Sequence, residues 1–175
     1  MLNIVLFNPE IPQNTGNIMR TCVALNAKLH LIKPLGFIID DAKLKRSAVD
    51  YYEHINYQVY ENWDEFIKVN VGEFYYFTRY SNQVYSKIKY QFNKNTYLIF
   101  GSESKGIDPK IIINTQKRNY RIPMSDKIRT LNLSNAVAIV AYDYVAQNDF
   151  DGLLSEEPFV YADQDFLERL KEVIK

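Results

Sequence analysis

Short runs of apolar residues separated by polar turns recur from the start of the chain. Leu2–Phe7, Lys28–Ile32, Phe74–Thr78, Tyr97–Phe100 and Tyr120–Ile122 have the length and composition of buried β-strands. Between them lie stretches with helical periodicity, at about Asn17–Leu25, Asp40–Val49, Asn62–Val69, Asp108–Asn114 and Asn132–Ala146. Strand and helix alternate, which predicts an α/β domain with a mainly parallel sheet flanked by helices. Past Asp151, residues 152–158 read as a loop. Phe166, Leu167, Leu170, Val173 and Ile174 then recur at helical spacing and predict an amphipathic C-terminal helix over 163–175, packing on the body or on a second subunit. The helix predicted at Asn132–Ala146 is apolar nearly all round from Leu133 to Val145, so it is expected to be buried on every side, with a homodimer partner covering what its own chain does not.

At 175 residues with 47% hydrophobic content, the chain fits one domain with a single core over residues 1–175. No repeat or low-complexity linker interrupts it. The single cysteine, Cys22, excludes an internal disulfide, and no signal peptide is recognisable, so a reducing cytoplasm is the expected compartment. No apolar run reaches the roughly 20 residues that cross a bilayer, and no membrane association is expected. The formal net charge is zero, which by itself speaks against a nucleic-acid partner. Its distribution changes that reading. Residues 1–150 hold 18 Lys and Arg against 14 Asp and Glu, while residues 151–175 hold 3 against 7. The basic surplus concentrates at Lys43/Lys45/Arg46 and at Lys117/Arg118/Arg121/Lys127/Arg129.

Three polar stretches follow predicted strands, where α/β sheets bind ligands. In the first, Asn8 to Arg20, Asn14 or Thr15 is placed to cap a helix beginning near Asn17, Gly16 permits close backbone approach, and Arg20 falls outside the apolar arc of that helix. The second, Tyr97 to Gly106, carries Gly101, Glu103 and Gly106 in a loop that lacks the Gly-Lys-Ser/Thr order of a phosphate loop and any G-x-G-x-x-G, so an ATP or NAD site is not supported. In the third, Tyr120 to Asn135, the residues Thr130, Asn132, Ser134 and Asn135 exceed what one helix cap requires, and the surplus points to a polar site. Two histidines, His30 and His54, and one cysteine at no ligand spacing predict no metal centre, and the histidines are expected to be structural or surface residues.

In this order, Asn8-Pro-x-Ile-Pro-x-Asn-Thr-Gly-Asn-Ile-x-Arg20, Phe100-Gly-x-Glu-x-x-Gly106 and Ile122-Pro-Met with Asn132-Leu-Ser-Asn-Ala-Val137 resemble the three motifs of the SPOUT RNA 2'-O-ribose methyltransferases, from Leu2 to about Tyr144. Within that class, the small size and the segment Leu29–Phe37 are similar to the TrmL-type tRNA (cytidine/uridine wobble) enzymes. The resemblance implies a SPOUT fold with a C-terminal trefoil knot, a homodimer, and methylation of the ribose 2'-hydroxyl of the wobble nucleotide, C or U at position 34, with leucine isoacceptors as the expected tRNAs. It implies S-adenosylmethionine bound at Phe77, Thr78, Gly101, Ile122, Met124, Thr130 and Leu131, and a catalytic set of Arg20, Asn14, Glu103, Asn132 and Ser134. Thr130 stands where serine is common and keeps the hydroxyl. An anticodon stem-loop would be met by Lys43, Arg46, Arg129 and Tyr142. Guanidinium is a poor base, so Arg20 is expected to clamp phosphate or polarise the hydroxyl. A 2'-O-methyltransferase acting on another tRNA or ribosomal RNA site is the alternative. A non-catalytic RNA-binding protein or a small-molecule methyltransferase would stand further off.

Overall fold

The computed structural model describes residues 1–39, 51–156 and 171. The expected helix at Asp40–Val49, the basic group Lys43/Lys45/Arg46 and the helix over 163–175 lie outside the described residues. Six strands form one parallel sheet: β1 (Leu2–Phe7), β2 (Lys28–Ile32), β3 (Tyr57–Tyr60), β4 (Glu73–Phe77), β5 (Thr96–Phe100) and β6 (Asn119–Tyr120), in the spatial order β3-β2-β1-β5-β4-β6. The helices are α1 (Pro12–Ala24), α2 (Trp63–Val69), α3 (Pro109–Asn114) and α4 (Leu133–Ala146). None of the described helices is long and apolar enough to cross a membrane.

A parallel sheet covered on both faces needs strands that are apolar on both sides, and alternate residues here enter two separate cores. Ile4, Leu6, Leu29, Leu31, Leu98 and Phe100 pack with Ile18, Met19 and Cys22 of α1 and with Val137, Val140 and Ala141 of α4. On the other face Val5, Ile32, Tyr60, Tyr76, Tyr97 and Ile99 pack with Phe66 of α2. Burial pushes the Cys22 thiol up to about 12, so it is an inert part of the first core.

The expected strands are all present within one or two residues of their predicted bounds. β3 is the addition, a four-residue edge strand whose only buried residue is Tyr60. Its composition, Tyr-Gln-Val-Tyr, is too short and too mixed to be read as a strand. The start of α1 is a correction. Pro12 occupies the first helical position, where its missing N–H costs nothing, and the helix begins about five residues earlier than the sequence reading had it. Asn14 and Thr15 are therefore not caps but buried residues inside the first turn and a half. Gly16 is also corrected: a β-carbon there would meet nothing within 4 Å, so no neighbouring backbone of the described residues requires it. In α4 one chain by itself covers only part of the helix. Its inner face is buried, but Ile139 and Tyr142 remain 38% and 48% exposed, leaving an apolar outer face uncovered.

His54 is exposed, whereas His30 is enclosed on β2. Its Nδ1 lies 2.9 Å from the Tyr60 hydroxyl and its Nε2 3.0 Å from Asn3 Oδ1. The amide oxygen can only accept, so Nε2 carries the proton and Nδ1 accepts from the tyrosine. The ring stacks on Tyr60 and meets Phe66 and Tyr97 edge-on. Burial, with a smaller contribution from Lys28, lowers its pKa to about 4. Unfolding returns the ring to water and its usual value near 6.5, so the unfolded chain binds the extra proton between about pH 4 and 6.5. Stability is complete above that window and falls as pH drops through it. We expect urea unfolding at pH 5 to show about 2 kcal/mol less stability than at pH 7 from this group, and His30→Gln to flatten that difference. An equal loss in the variant would place the pH dependence elsewhere.

Candidate active site

The carboxyl ends of β1, β5, β4 and β6 are neighbours in the sheet, and the loops that leave them meet over one cleft of about 390 Å³. That volume lies within the range of small-molecule sites. The walls are Phe77 at the end of β4 and Thr78 after it, Gly101 to Ile107 after β5, and Arg121, Ile122, Met124 and Thr130 to Leu133 after β6, with Ile11 and Asn14 closing the β1 side.

One carboxylate ties these loops together. Glu103 Oε2 accepts from the backbone N–H of Glu10 at 2.8 Å, and Oε1 accepts from the N–H of Ile11 at 3.3 Å and from Asn14 Nδ2 at 2.9 Å. Ile11 is the N-cap of α1 and supplies no capping side chain of its own. The acid that satisfies the helix start is thus provided by a loop 93 residues away, where it also meets the positive end of the helix dipole. Glu10 answers in kind, its carboxylate accepting from Ser104 N at 3.1 Å and Ser104 Oγ at 2.5 Å.

The relay continues inward. Asn14 Oδ1 accepts from Asn132 Nδ2 at 2.9 Å, and Asn132 Oδ1 caps α4 by accepting from the N–H groups of Ser134 at 2.9 Å and Asn135 at 3.4 Å and from the Ser134 hydroxyl at 2.6 Å. Asn132 therefore does two things: it caps a helix, as its position suggested, and it joins the β6 loop to α1. Glu103 has both oxygens committed to donors, so it holds the loops together. The turn that carries it is equally constrained. Ser102 and Gly106 exchange backbone hydrogen bonds of 3.2 and 2.9 Å, Gly106 has φ +76°, and a β-carbon on Gly101 would come within 2.0 Å of the Gly106 carbonyl carbon.

The residues singled out from the sequence divide as follows. Phe77, Thr78, Gly101, Ile122, Met124, Thr130 and Leu131 all line the cleft, together with Asn14, Glu103 and Asn132. Ser134 is buried behind Asn132. Arg20 is exposed on α1, is not among the cleft-lining residues, and places its guanidinium 5.5 Å from the ring centre of Tyr51. Arg129 lines a shallower depression adjoining the cleft, and Tyr142 lies on the outer face of α4. Lys43 and Arg46 are outside the described residues. The second basic run is split by the fold, since Arg118 pairs with Glu73 over the Tyr75 ring, away from the cleft, while Arg121 faces it. Arg118 and Lys94 together hold the Glu73 carboxyl below its ordinary range. Arg79 and Tyr80 line the cleft and were not found from sequence; the available signal was an arginine and an aromatic residue just past the carboxyl end of β4.

Among the described residues no group of His, Cys, Asp and Glu is placed to hold a metal ion. The chemistry open to the cleft is binding of an uncharged heterocycle by apolar walls and loop backbone, next to a cationic rim.

The chain matches the model of the SpoU rRNA Methylase family over residues 1–142. It is 46% identical over 156 residues to a Listeria innocua protein assigned as a tRNA (cytidine(34)-2'-O)-methyltransferase, covering 88% of this chain and 92% of that one. It is 41% identical over 165 residues to a Yersinia pestis protein named tRNA (cytidine(34)-2'-O)-methyltransferase, covering 90% and 100%. A solved structure described under the 2'-hydroxyl methylation of C/U34 on tRNA superposes with a TM-score of 0.77 at 34% identity, covering 85% of this chain and 91% of that one.

Replacing Glu103 by Gln removes the charge from the start of α1 and turns one acceptor into a donor. We expect a loss of about 1–2 kcal/mol in urea unfolding. In a double-mutant cycle, Glu103→Ala and Asn14→Ala should couple by roughly 1 kcal/mol; strict additivity would show that the two side chains do not act as one relay.

Proposed function

The chain belongs to the SpoU rRNA methylase family, and from that premise we propose that it methylates the ribose 2'-hydroxyl of nucleotide 34, C or U, in tRNA, with leucine isoacceptors as substrates. The observation that carries the reading is one cleft, at the carboxyl ends of four neighbouring strands, built from the same three stretches that resemble the family's motifs. The family description names ribosomal RNA, which keeps a ribosomal site as the second reading.

S-adenosylmethionine, as methyl donor, would supply an electrophilic methyl group on a sulfonium. The cleft suits such a molecule in volume and lining: Phe77, Ile122, Met124 and Leu131 offer apolar walls for an adenine, and the polar loop from Gly101 to Gly106 borders them. The Glu103–Asn14–Asn132 relay fixes the loops, so orientation is set before substrate arrives, and held orientation alone supplies a large part of such an acceleration. Arg20, on the solvent side of α1, acts on the RNA, clamping phosphate or polarising the hydroxyl. The nucleophile is itself the 2'-hydroxyl, so discrimination against DNA needs no further domain.

The uncovered face of α4 supports a homodimer, with Ile139 in the contact. A trefoil knot is implied by the family. A tRNA substrate and a buried free thiol fit a cytoplasmic enzyme.

Methyl-labelled S-adenosylmethionine incubated with the protein and bulk tRNA from cells lacking its gene should place label on the ribose of nucleotide 34. Label confined to ribosomal RNA would favour the second reading, and transfer to neither would remove the enzymatic one. Arg20→Ala should abolish transfer with S-adenosylmethionine affinity changed by less than about twofold; wild-type turnover in that variant would remove Arg20 from the mechanism. Ile139→Asp should convert a dimer to a monomer in sedimentation; an unchanged mass would place the interface on another face.

A further inference from the structure

Beside the cleft lies a second, shallower depression that shares Arg79, Tyr80, Arg121 and Met124 with it and extends to Asp126 and Arg129. Three guanidinium groups meet there against one carboxylate. Among the described residues none of the three arginines forms an ion pair. Cations left unpaired beside an exposed aromatic ring have the chemistry of a single-stranded nucleic-acid contact.

Tyr80 is that ring. It is 70% exposed, the Arg79 guanidinium lies 4.7 Å from its centre, and Arg79 Nη2 donates to its hydroxyl at 2.5 Å. The pair is mounted on a fixed base. The next residue, Ser81, is buried and donates to the Asn119 carbonyl at 2.6 Å, Gln83 Nε2 donates to the same carbonyl at 3.1 Å, and the backbone of Gln83 and Tyr85 pairs with Arg121 at 2.7 and 3.0 Å. The loop after β4 is therefore sewn to the chain leaving β6, so Tyr80 and Arg121 hold a common framework. An exposed tyrosine held this way loses little entropy when a base stacks on it.

We infer that Arg79, Tyr80 and Arg121, with Arg129 beyond them, form the RNA-docking platform of this site: Tyr80 stacks on a base adjoining the methylated nucleotide, and the arginines contact its flanking phosphates. The inference rests on the RNA methyl-transfer reading and adds to it the surface by which the strand enters. A carboxylate of the methyl donor would also attract Arg121, and it is too small to engage Tyr80 and Arg129 as well.

The test measures tRNA affinity by fluorescence anisotropy across a salt series, cofactor affinity by calorimetry, and methyl transfer, all on the full chain. For Arg79→Gln/Arg121→Gln the tRNA Kd should rise at least tenfold at about 0.1 M salt, and the slope of log K against log salt should become shallower by about 1.5. The S-adenosylmethionine Kd is read in parallel, because Arg79 and Arg121 also line the cleft, and the tRNA Kd should rise by the larger factor. Tyr80→Leu should weaken tRNA binding about tenfold while Tyr80→Phe keeps it. Should the double variant melt lower than wild type, the single Arg79→Gln serves, with about half the change in slope. Unchanged tRNA affinity and slope, with wild-type methyl transfer intact, overturn the platform alone. A raised cofactor Kd with unchanged tRNA binding assigns Arg121 to the donor's carboxylate and also overturns it. Absence of tRNA binding and methyl transfer in the wild type overturns the functional reading and the platform with it.

Discussion

The Glu103 carboxylate is the contact on which the site depends. A helix start leaves N–H groups without partners, and α1, begun by Pro12 behind Ile11, has no capping side chain nearby in sequence. Glu103 supplies the missing acceptor from the loop after β5 and keeps enough capacity to hold Asn14. Asn14 then holds Asn132, and Asn132 caps α4. Two helices that pack on the same face of the sheet are thus fixed at their N-termini by one chain of hydrogen bonds. The cleft lies against that chain, so the forces that set helix position also set the shape of the site. Within the polar run at 130–135, the Asn132 side chain serves as cap and tether at once.

The strands were legible because a doubly covered parallel sheet writes itself as continuous apolar runs, and five of six could be read that way. β3 could not, since an edge strand with one buried residue leaves no pattern. The start of α1 was obscured because Asn14 and Thr15 have capping chemistry; only the contact with Glu103, distant in sequence, decides that Asn14 points to a tether. What covers the outer face of α4 is not legible for a related reason. Composition reports that a surface is apolar, but not what covers it.

Within the site, residues whose identity is dictated by the backbone were the readable ones. Gly101 has no room for any side chain, and the polar residues of the relay occur in recognisable motifs. Arg79 and Tyr80 sit in a loop with no such dictate. Their significance comes from what the fold leaves unpaired around them, which spacing along the chain does not encode.

Net neutrality, which by itself weighs against a nucleic-acid partner, is resolved by where the charges lie rather than by their sum. Arg118 and Lys94 share Glu73 at the sheet edge, and Lys33 pairs with Glu61, so these charges lie away from the cleft. The arginines at the cleft mouth are left without such partners among the described residues. A polyanion senses the local surplus within a Debye length, about 10 Å at 0.1 M salt, not the sum over the chain. A neutral protein can therefore present a cationic docking edge where cations locally outnumber carboxylates, as Arg79, Arg121 and Arg129 do against Asp126.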